Sequence, residues 1–225
     1  MEEYIPVKVK RRNPYGWNNT IIAICILIYL AKVLTGLLGI YAIIRMPFGV
    51  TYRDNIVDYL LALFPINVLS MPWQIITSIF VHADFWHLFI NMFVLFFFGN
   101  ELERRLGERK YLIIFFASGI AGNLAYLVYA FLTNPFIPAM GASAAIFGVM
   151  GALAIIAPEI RVVIFPLPIP VSIKVAILLF AIYDLLLLPF SYSTGVAHIA
   201  HLAGLLVGLY LGKKYRIVRG YVLYY

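Results

Sequence analysis

Long apolar runs separated by short polar segments dominate the pattern along this chain. A helix that crosses the ~30 Å hydrocarbon core of a bilayer needs roughly 20 apolar residues at about 1.5 Å each. Runs of this kind predict six membrane-spanning helices, at 21–44, 85–100, 111–133, 141–157, 170–190 and 196–212. The second and fourth are short for a span. Short connections between the last five predict one compact bundle.

The segment between the first two spans, 45–86, is of mixed polarity. It is too apolar for a flexible linker, and Pro47, Pro65 and Pro72 interrupt it too often for a clean span. We interpret it as amphipathic pieces that lie in the plane of the membrane interface. The predicted fold class is therefore an all-α membrane protein. It has a six-transmembrane-helix bundle with a long membrane-embedded first loop, and the domain divisions are 1–20 (basic tail), 21–212 (bundle) and 213–225 (basic tail).

The composition excludes a soluble domain. Hydrophobic residues make up 64% of the 225 residues and charged residues 12%, against about 45–50% and about 25% in soluble domains. The single cysteine, Cys25, excludes an intramolecular disulfide and a cysteine-based structural zinc site. The basic stretch before the first run resembles the start of a signal peptide. Because the run is about twice the usual length and no small-residue cleavage site follows, we expect a retained helix.

The positive charges predict the orientation of the bundle. Six spans place four basic residues before the first span, four after the second, two after the fourth and four after the last on one side of the membrane. The opposite side has only Arg45 and Arg53. By the positive-inside rule both termini are cytoplasmic. The formal net charge of +7 therefore reflects topology and contact with anionic lipid, and nucleic acid is not an expected partner.

Polar side chains inside the spans are the candidate functional residues, because each is costly in lipid unless it is paired or used. His87 and Asn91 share one face in the first two turns of the second span. Ser143 lies in the first turn of the fourth span, and His201 lies about six residues into the last, roughly 9 Å along its axis. The predicted topology brings these four side chains to one layer in the outer third of the bilayer.

The residue types in this layer indicate nucleophilic catalysis. A serine hydroxyl becomes reactive when a base takes its proton, and histidine is the usual base. The helices that carry Ser143 and His201 could approach closely, because Gly204 and Gly208 lie on the histidine's face of its helix and Ala144 begins a strip of small residues near the serine.

The start of the fourth span also suits an oxyanion. The N–H groups of Ser143 and Ala142 lack acceptors within the helix and lie at its positive end. His87 and Asn91 could add side-chain donors.

Each residue has a simpler interpretation when taken alone. Ser143 would be a packing residue in a helix rich in Gly and Ala, and His87 or Asn91 would form a hydrogen bond between helices. Lys32, at a similar depth, could act as the base of a Ser–Lys dyad, since a desolvated lysine can lose its proton near neutral pH. A snorkelling lysine, or one paired with Asp184, is the simpler interpretation.

A metal site is a second alternative. His198 and His201, three residues apart on one helix, could supply half of such a site. The other half would need His82 and His87, or else Asp84. No HExxH motif is present, which argues against a zinc metalloprotease of that kind. We therefore expect no metal.

Four motifs, in this order, resemble those of the rhomboid intramembrane serine proteases. HLFIN at 87–91 is similar to the family's HxxxN, and ERRLG at 103–107 resembles the turn that follows that helix. GASA at 141–144 resembles the GxSG nucleophile motif, and AHIAHLAG at 197–204 resembles the start of the histidine helix. The resemblance covers about 73–212, and the first helix and its loop fit by position only.

The resemblance implies a serine endopeptidase that cuts a peptide bond in or near the outer part of a transmembrane segment of a membrane-protein substrate. Ser143 would be the nucleophile, with His201 as general base and then general acid. The oxyanion hole would consist of His87, Asn91 and the backbone N–H groups of Ser143 and Ala142. No cofactor is implied, the partners are membrane-protein substrates and the lipid bilayer, and no oligomeric state is predicted.

Supporting positions follow from the same resemblance. Phe147 falls where the family places an aromatic ring against the catalytic histidine, and Gly141, Gly204 and Gly208 occupy its conserved glycine positions. The loop at about 190–195 would cap the site. The implied location is the cell membrane, with several spans, cytoplasmic termini and a site open to the extracytoplasmic side.

Two positions depart from the family pattern. Ala144 replaces the last Gly of GxSG, which a small face should tolerate. Gln74 follows Trp73 where many members have Arg, so the role of that side chain in the first loop is open. Asp184 lies in the helix usually regarded as the substrate gate, and we expect it to hydrogen-bond to a neighbouring helix.

Two other functions are weighed against the protease. One is a catalytically inactive rhomboid-like membrane protein that binds or chaperones others. The presence of both Ser143 and His201 argues against it. The other is a small transporter, for which we would expect repeated halves or broken helices at the midplane, and neither is found in the sequence.

Overall fold

The computed structural model describes residues 16–45, 51–164 and 169–216. In chain order its helices are α1 Trp17–Leu37, α2 Ile56–Leu61, α3 Gln74–Thr77, α4 Phe85–Val94, α5 Asn100–Leu106, α6 Glu108–Leu132, α7 Ser143–Ile156, α8 Ile173–Leu187, α9 Ser191–Thr194 and α10 His198–Tyr215. The π-helical turn Leu95–Gly99 joins α4 to α5 into one continuous helix. The tail residues Lys8, Lys10, Arg11, Arg12 and Arg219, and Pro47 in the first loop, lie outside the described residues.

The predicted helical bundle is confirmed, and each of the six predicted spans contains a helix. Among the described residues, four helices are long and apolar enough to cross a membrane: Trp17–Leu37, Phe85–Leu106, Glu108–Leu132 and Ile173–Thr194. The helix α7 is apolar but has only 14 residues, as the short fourth run predicts. The helix α10 has 18 residues and ends with Lys213 and Lys214 in its last turn.

The predicted end of the first span, at residue 44, is wrong. The helix α1 ends at Leu37, and Gly39 follows with a left-handed φ of 69°. The residues after it form a hairpin, in which β1 (Tyr41–Arg45) pairs antiparallel with β2 (Thr51–Asn55). An apolar run alone does not distinguish helix from strand, and Gly39 is the local signal that the helix ends.

A second hairpin separates α7 from α8. It consists of β3 (Arg161–Val163) and β4 (Pro170–Ser172), paired antiparallel, and no pattern in the sequence predicts it. It delays the start of the fifth span from residue 170 to Ile173. Ser172 caps that helix, because its hydroxyl accepts the Val175 N–H at 3.3 Å.

The first loop packs on the bundle through the short helices α2 and α3. Gln74 is fully buried, accepts the Phe64 N–H through Oε1 at 3.0 Å and donates through Nε2 to the Tyr59 carbonyl at 2.8 Å. Where many members of the family have Arg, this chain therefore has an amide that ties two stretches of loop backbone together. A short antiparallel bridge between Leu63 and Ala139 then fixes the loop to the segment that enters α7.

The helices α7 and α10 touch through their backbones. Gly204 lies against the backbone of Ala144, Gly208 against that of Gly148, and Gly212 against that of Ala152, so closely that a Cβ at any of the three glycines would overlap α7. The two helices thus meet on the face of α10 that carries Gly204 and Gly208. Ten of the 14 residues of α7 are buried, which makes it the centre of the bundle.

The start of α1 lies at the turn between α5 and α6. The N–H groups of Trp17 and Asn18 donate to the Glu103 carboxylate at 2.8 and 3.0 Å. Asn18 also donates through Nδ2 to the carbonyl of Leu95 in the π-helical turn, at 3.0 Å, and packs on Gly99. Helix ends that the predicted topology places on one side therefore lie together at one end of the bundle.

Candidate active site

Ser143 and His201 are brought into hydrogen-bonding contact. The Ser143 Oγ lies 2.8 Å from the His201 Nε2, across the contact between α7 and α10. The glycine contacts one turn further on, at Gly204, allow this approach because no side chain separates the two helices. The side chain of His201 is partly exposed, at 13%, so the pair lies at the edge of the packed core.

The ring of His201 is held on its face and at its second nitrogen. Phe147, one turn after the serine, stacks on it with 4.5 Å between ring centroids and 12° between planes. Phe147 therefore lies against the histidine ring, at the position that the resemblance implies. On the far side, Nδ1 lies 3.2 Å from each carboxylate oxygen of Asp184.

His87 lies beside the backbone that enters α7. Gly141 has a φ of 122°, which an L side chain rarely adopts, and a Cβ there would fall 2.7 Å from the His87 Nε2. The His87 Nδ1 accepts the Ala83 N–H at 3.4 Å. Since a neutral imidazole has one donor and one acceptor, its Nε2 carries the proton and faces Gly141 next to Ser143.

Backbone donors are present at the start of α7. The first hydrogen bond within that helix runs from the Ile146 N–H to the Ala142 carbonyl at 2.9 Å. The N–H groups of Ala142 and Ser143 therefore precede the first helical bond, as the sequence predicts. They lie at the positive end of the helix dipole, which favours an anion.

Asn91 is placed one turn along α4 from His87 and is buried. Its Nδ2 donates to the His87 carbonyl at 2.8 Å. Within the described part of the chain, this amide has no hydrogen bond to Ser143 or His201. The structure thus brings His87 to the serine and leaves Asn91 bonded to its own helix.

A cavity of about 150 Å³ opens beside these residues. Its walls are the segment 137–140 before α7, the segment 195–197 before α10, and the side chains of His87 and Tyr126. The cavity is small and lies between the two segments that lead into the serine and histidine helices.

The pairing of Asp184 goes beyond what sequence reasoning found. The expected hydrogen bond to a neighbouring helix is present, but the partners are His201 itself and His198, whose Nδ1 lies 2.6 Å from the Asp184 Oδ1. His198, which the sequence analysis considered only as a metal ligand, is fully buried. Its spacing of three residues from His201, and an aspartate at similar depth in the preceding helix, were the signals available.

The same three side chains could hold a metal ion. One ligand atom from each of Asp184, His198 and His201 lies within 4.8 Å of the others. The ligand set weighed from the sequence was wrong in its other half, because His82, His87 and Asp84 do not belong to this group. The absence of a metal site stays a prediction.

Lys32 is occupied away from the serine. Its Nζ lies 2.7 Å from the Asp58 Oδ2 and donates to the carbonyls of His82 and Ala83, at 3.0 and 2.7 Å. A pairing with Asp184 and a Ser–Lys dyad are both inconsistent with these contacts. Burial raises the pKa of Asp58 above its ordinary value, although the neighbouring Lys32 acts in the opposite direction.

Two titratable groups next to the site have depressed pKa values. Burial, with His87 close by, lowers the pKa of His82 to about 3, so this ring is neutral. A hydrogen bond from the His87 N–H lowers the pKa of Asp84, which caps α4. Neither group is placed to exchange a proton with Ser143.

Comparison with known proteins identifies the family of this chain. The family model of the Rhomboid domain matches residues 69–217. The chain belongs to the rhomboid family of membrane proteins.

Its relatives include both proteases and a member named as inactive. Rhomboid protein 1, mitochondrial, of Saccharomyces cerevisiae is 34% identical over 141 residues, which are 62% of this chain and 40% of that protein. Rhomboid-like protease 3 of Toxoplasma gondii is 34% identical over 143 residues, 62% of this chain and 50% of that protein. Inactive RHOMBOID-like protein 8 of Arabidopsis thaliana is 40% identical over 81 residues, 36% of this chain and 22% of that protein. The chain thus spans about half the length, or less, of these relatives.

Proposed function

We propose that this protein is a serine endopeptidase that hydrolyses a peptide bond in a transmembrane segment of other membrane proteins. The observation that carries the proposal is the 2.8 Å contact between the Ser143 Oγ and the His201 Nε2. A hydroxyl in that position can lose its proton to the imidazole as it attacks a carbonyl carbon. Relatives named as proteases support the same assignment.

The reaction uses the side chains in two stages. In the first, Ser143 attacks, His201 takes its proton, and the tetrahedral oxyanion accepts hydrogen bonds from the N–H groups of Ser143 and Ala142 and from the His87 Nε2–H. His201 then protonates the departing amine, which leaves an acyl-enzyme. In the second stage His201 activates a water that releases the acyl group. Asn91 has a second amide N–H besides the one bound to the His87 carbonyl, and we assign it a supporting donor role.

The substrate must present an unwound stretch to the serine, because the carbonyls of an intact helix are bonded to their own turn. Segments with Gly, Pro or other weak helix formers near the cut are therefore preferred. The 150 Å³ cavity next to His87 suits a small side chain beside the scissile bond. We place the bundle, 21–212, in a cell membrane with cytoplasmic tails and the site open to the extracytoplasmic side.

The test compares two serine variants. Ser143→Ala should abolish cleavage of a model transmembrane substrate in liposomes, while Ser70→Ala, at an exposed serine of the first loop, should cleave like the wild type. A fluorophosphonate probe should label the wild type and not His201→Ala. Cleavage by Ser143→Ala at the wild-type rate would contradict the proposal. Binding of the substrate without cleavage or labelling would favour the inactive, binding rhomboid-like protein instead.

A further inference from the structure

The carboxylate of Asp184 in α8 has no part in the reaction described above. It is buried, with 2% of the side chain exposed, and it faces two imidazole rings of α10. Its Oδ1 lies 2.6 Å from the His198 Nδ1, and both of its oxygens lie 3.2 Å from the His201 Nδ1. A buried carboxylate between two rings, one of them bonded to Ser143, calls for an account of what it does there.

The hydrogen-bonding capacity of these groups links the positions of their protons. With Asp184 as a carboxylate, which can only accept, both imidazoles donate to it through Nδ1–H. A neutral ring with its proton on Nδ1 has a free lone pair on Nε2. For His201, that lone pair faces the hydroxyl of Ser143 at 2.8 Å, which is the protonation state that a general base needs.

We propose that Asp184 is a positioning residue that sets the tautomer and orientation of His201. Together with Ser143 it completes a Ser–His–Asp arrangement that spans α7, α8 and α10. The carboxylate also stabilises the imidazolium that forms when His201 takes the serine proton, because opposite charges attract strongly in a site shielded from water. The inference rests on the proposed function, since it assigns a role within that same site.

A second set of contacts holds the carboxylate itself in place. His198 is fully buried, donates to Asp184 through Nδ1–H, and has its Nε2 3.0 Å from the hydroxyl of Thr194 in α9. The Nε2 accepts from that hydroxyl, because the proton of the ring is on Nδ1. The position of Asp184 is therefore set from α9 and α10 as well as from its own helix.

The kinetic experiment uses carboxylate-to-amide substitutions at two places. Asp184→Asn keeps the shape of the side chain but presents an N–H₂ to one of the two imidazoles, which opposes the Nδ1–H tautomer. We expect kcat on a transmembrane substrate in liposomes to fall at least tenfold, and at most about 10⁴-fold, with KM within about twofold of the wild-type value. Glu101→Gln, at the opposite end of the bundle in an ion pair with Arg104 and Arg105, should change neither constant.

Loss of folded protein is separated from loss of catalysis in two ways. All rates are divided by the concentration of folded protein, measured from the monodisperse peak in gel filtration. Asp184→Glu, which restores a carboxylate, should recover part of the lost kcat, whereas Asp184→Gln should not. A kcat for Asp184→Asn within twofold of the wild type would overturn the inference. So would wild-type activity that depends on added Zn²⁺ and is lost with a chelator, because the three side chains would then be metal ligands.

A measurement that needs no turnover tests the same assignment. In protein labelled with ¹⁵N-histidine, the signal missing from the spectrum of His201→Ala identifies His201, and we expect it to have the Nδ1–H form in the wild type. Asp184→Asn should shift it toward the Nε2–H form, and an unchanged tautomer would contradict the inference. If the wild type neither cleaves nor labels, the proposed function fails, and this spectrum still decides whether Asp184 controls the ring.

Discussion

The contact between α7 and α10 and the attachment of the first loop to α1 are built in opposite ways. Glycines bring the two helices together backbone to backbone, and no side chain between them can adjust. The first loop is held on α1 by a long polar side chain, Lys32, which reaches Asp58, and Gln74 ties the loop to itself. Glycine contacts fix the distance between two helices, whereas a long flexible side chain can keep its contact when the segment that it binds shifts.

The difference matches what each region has to do. A 2.8 Å contact between Ser143 and His201 tolerates little displacement, since a shift of about 1 Å can cost about 10²-fold in rate. The helix α1 has only Asn18, Ile21 and Cys25 buried and exposes most of its length. This helix has to stay attached to the bundle, but its exact position matters less than that of α10. Three substitutions test this contrast, in order of decreasing expected effect.

Gly208→Ala should have the largest effect. The added Cβ would overlap the backbone of Gly148, so the two helices must separate, at a cost of about 3 kcal/mol of unfolding free energy. We expect cleavage to fall about 10²-fold because the serine and histidine move apart. Thermal unfolding in detergent and cleavage in liposomes measure the two effects.

The matched control is Gly36→Ala in α1. A Cβ there meets only the Asn55 side chain, at 3.6 Å, which is an ordinary contact. Removing a glycine from a helix should leave activity unchanged and raise stability by up to about 1 kcal/mol. Equal losses for the two alanines would refute the distinction between the two regions.

Lys32→Met should have an intermediate effect. It leaves the buried Asp58 carboxylate without its cation and should cost about 2 kcal/mol of unfolding free energy at pH 8. The pKa of Asp58 is already raised by burial and rises further without the lysine. The folded variant therefore takes up a proton as the pH falls, and its deficit relative to the wild type should shrink in mildly acidic buffer.

The same variant separates attachment from catalysis. Folded Lys32→Met should cleave substrate, because Lys32 in the wild type contacts Asp58 and two carbonyls and not the serine. His201→Ala, measured beside it, should not cleave. Cleavage by His201→Ala and none by Lys32→Met would instead support a Ser–Lys dyad.

His82→Phe should have the smallest effect at neutral pH and a visible one in acid. His82 is buried, and neither ring nitrogen has a partner among the described residues, so an apolar ring should change stability at pH 8 by at most about 0.5 kcal/mol. Since the folded pKa is about 3 against an ordinary 6.5, the unfolded state binds a proton first. The wild type should lose stability as the pH falls from 6.5 toward 3.

The slope of that loss is the quantity to measure. Below pH 6 it should approach about 1.4 kcal/mol per pH unit from this residue, and His82→Phe should remove that share. Chemical denaturation in detergent at several pH values gives the slope. Identical slopes for the two proteins would show that His82 is not buried as a neutral ring.

The sequence predicted most of the fold because apolar length and charge placement are one-dimensional properties. The six helices and the shared depth of Ser143 and His201 follow from them. The β1 strand did not, because the apolar run continues past Gly39 into residues that suit either structure. Pairing with β2, which decides the matter, depends on residues further along the chain.

The site was predicted in part for the same reason. Glycine spacing on α10 indicated which face meets α7, and that contact is observed. Asp184 could be assigned a depth and not a partner, since the rotation of α8 about its own axis is set by packing. The bond between Asn91 and the His87 carbonyl likewise depends on a side-chain rotamer that spacing does not determine.

The π-helical turn at Leu95–Gly99 changes the angular phase of the helix that contains it. One extra residue in a turn advances everything after it by about 100° relative to an unbroken α-helix. The half before the turn therefore presents His87 to the serine, while the half after it presents Glu103 to the N–H groups that begin α1. Deleting a single residue within the turn would rotate Glu103 away from Trp17 and Asn18 without altering any side chain at the site.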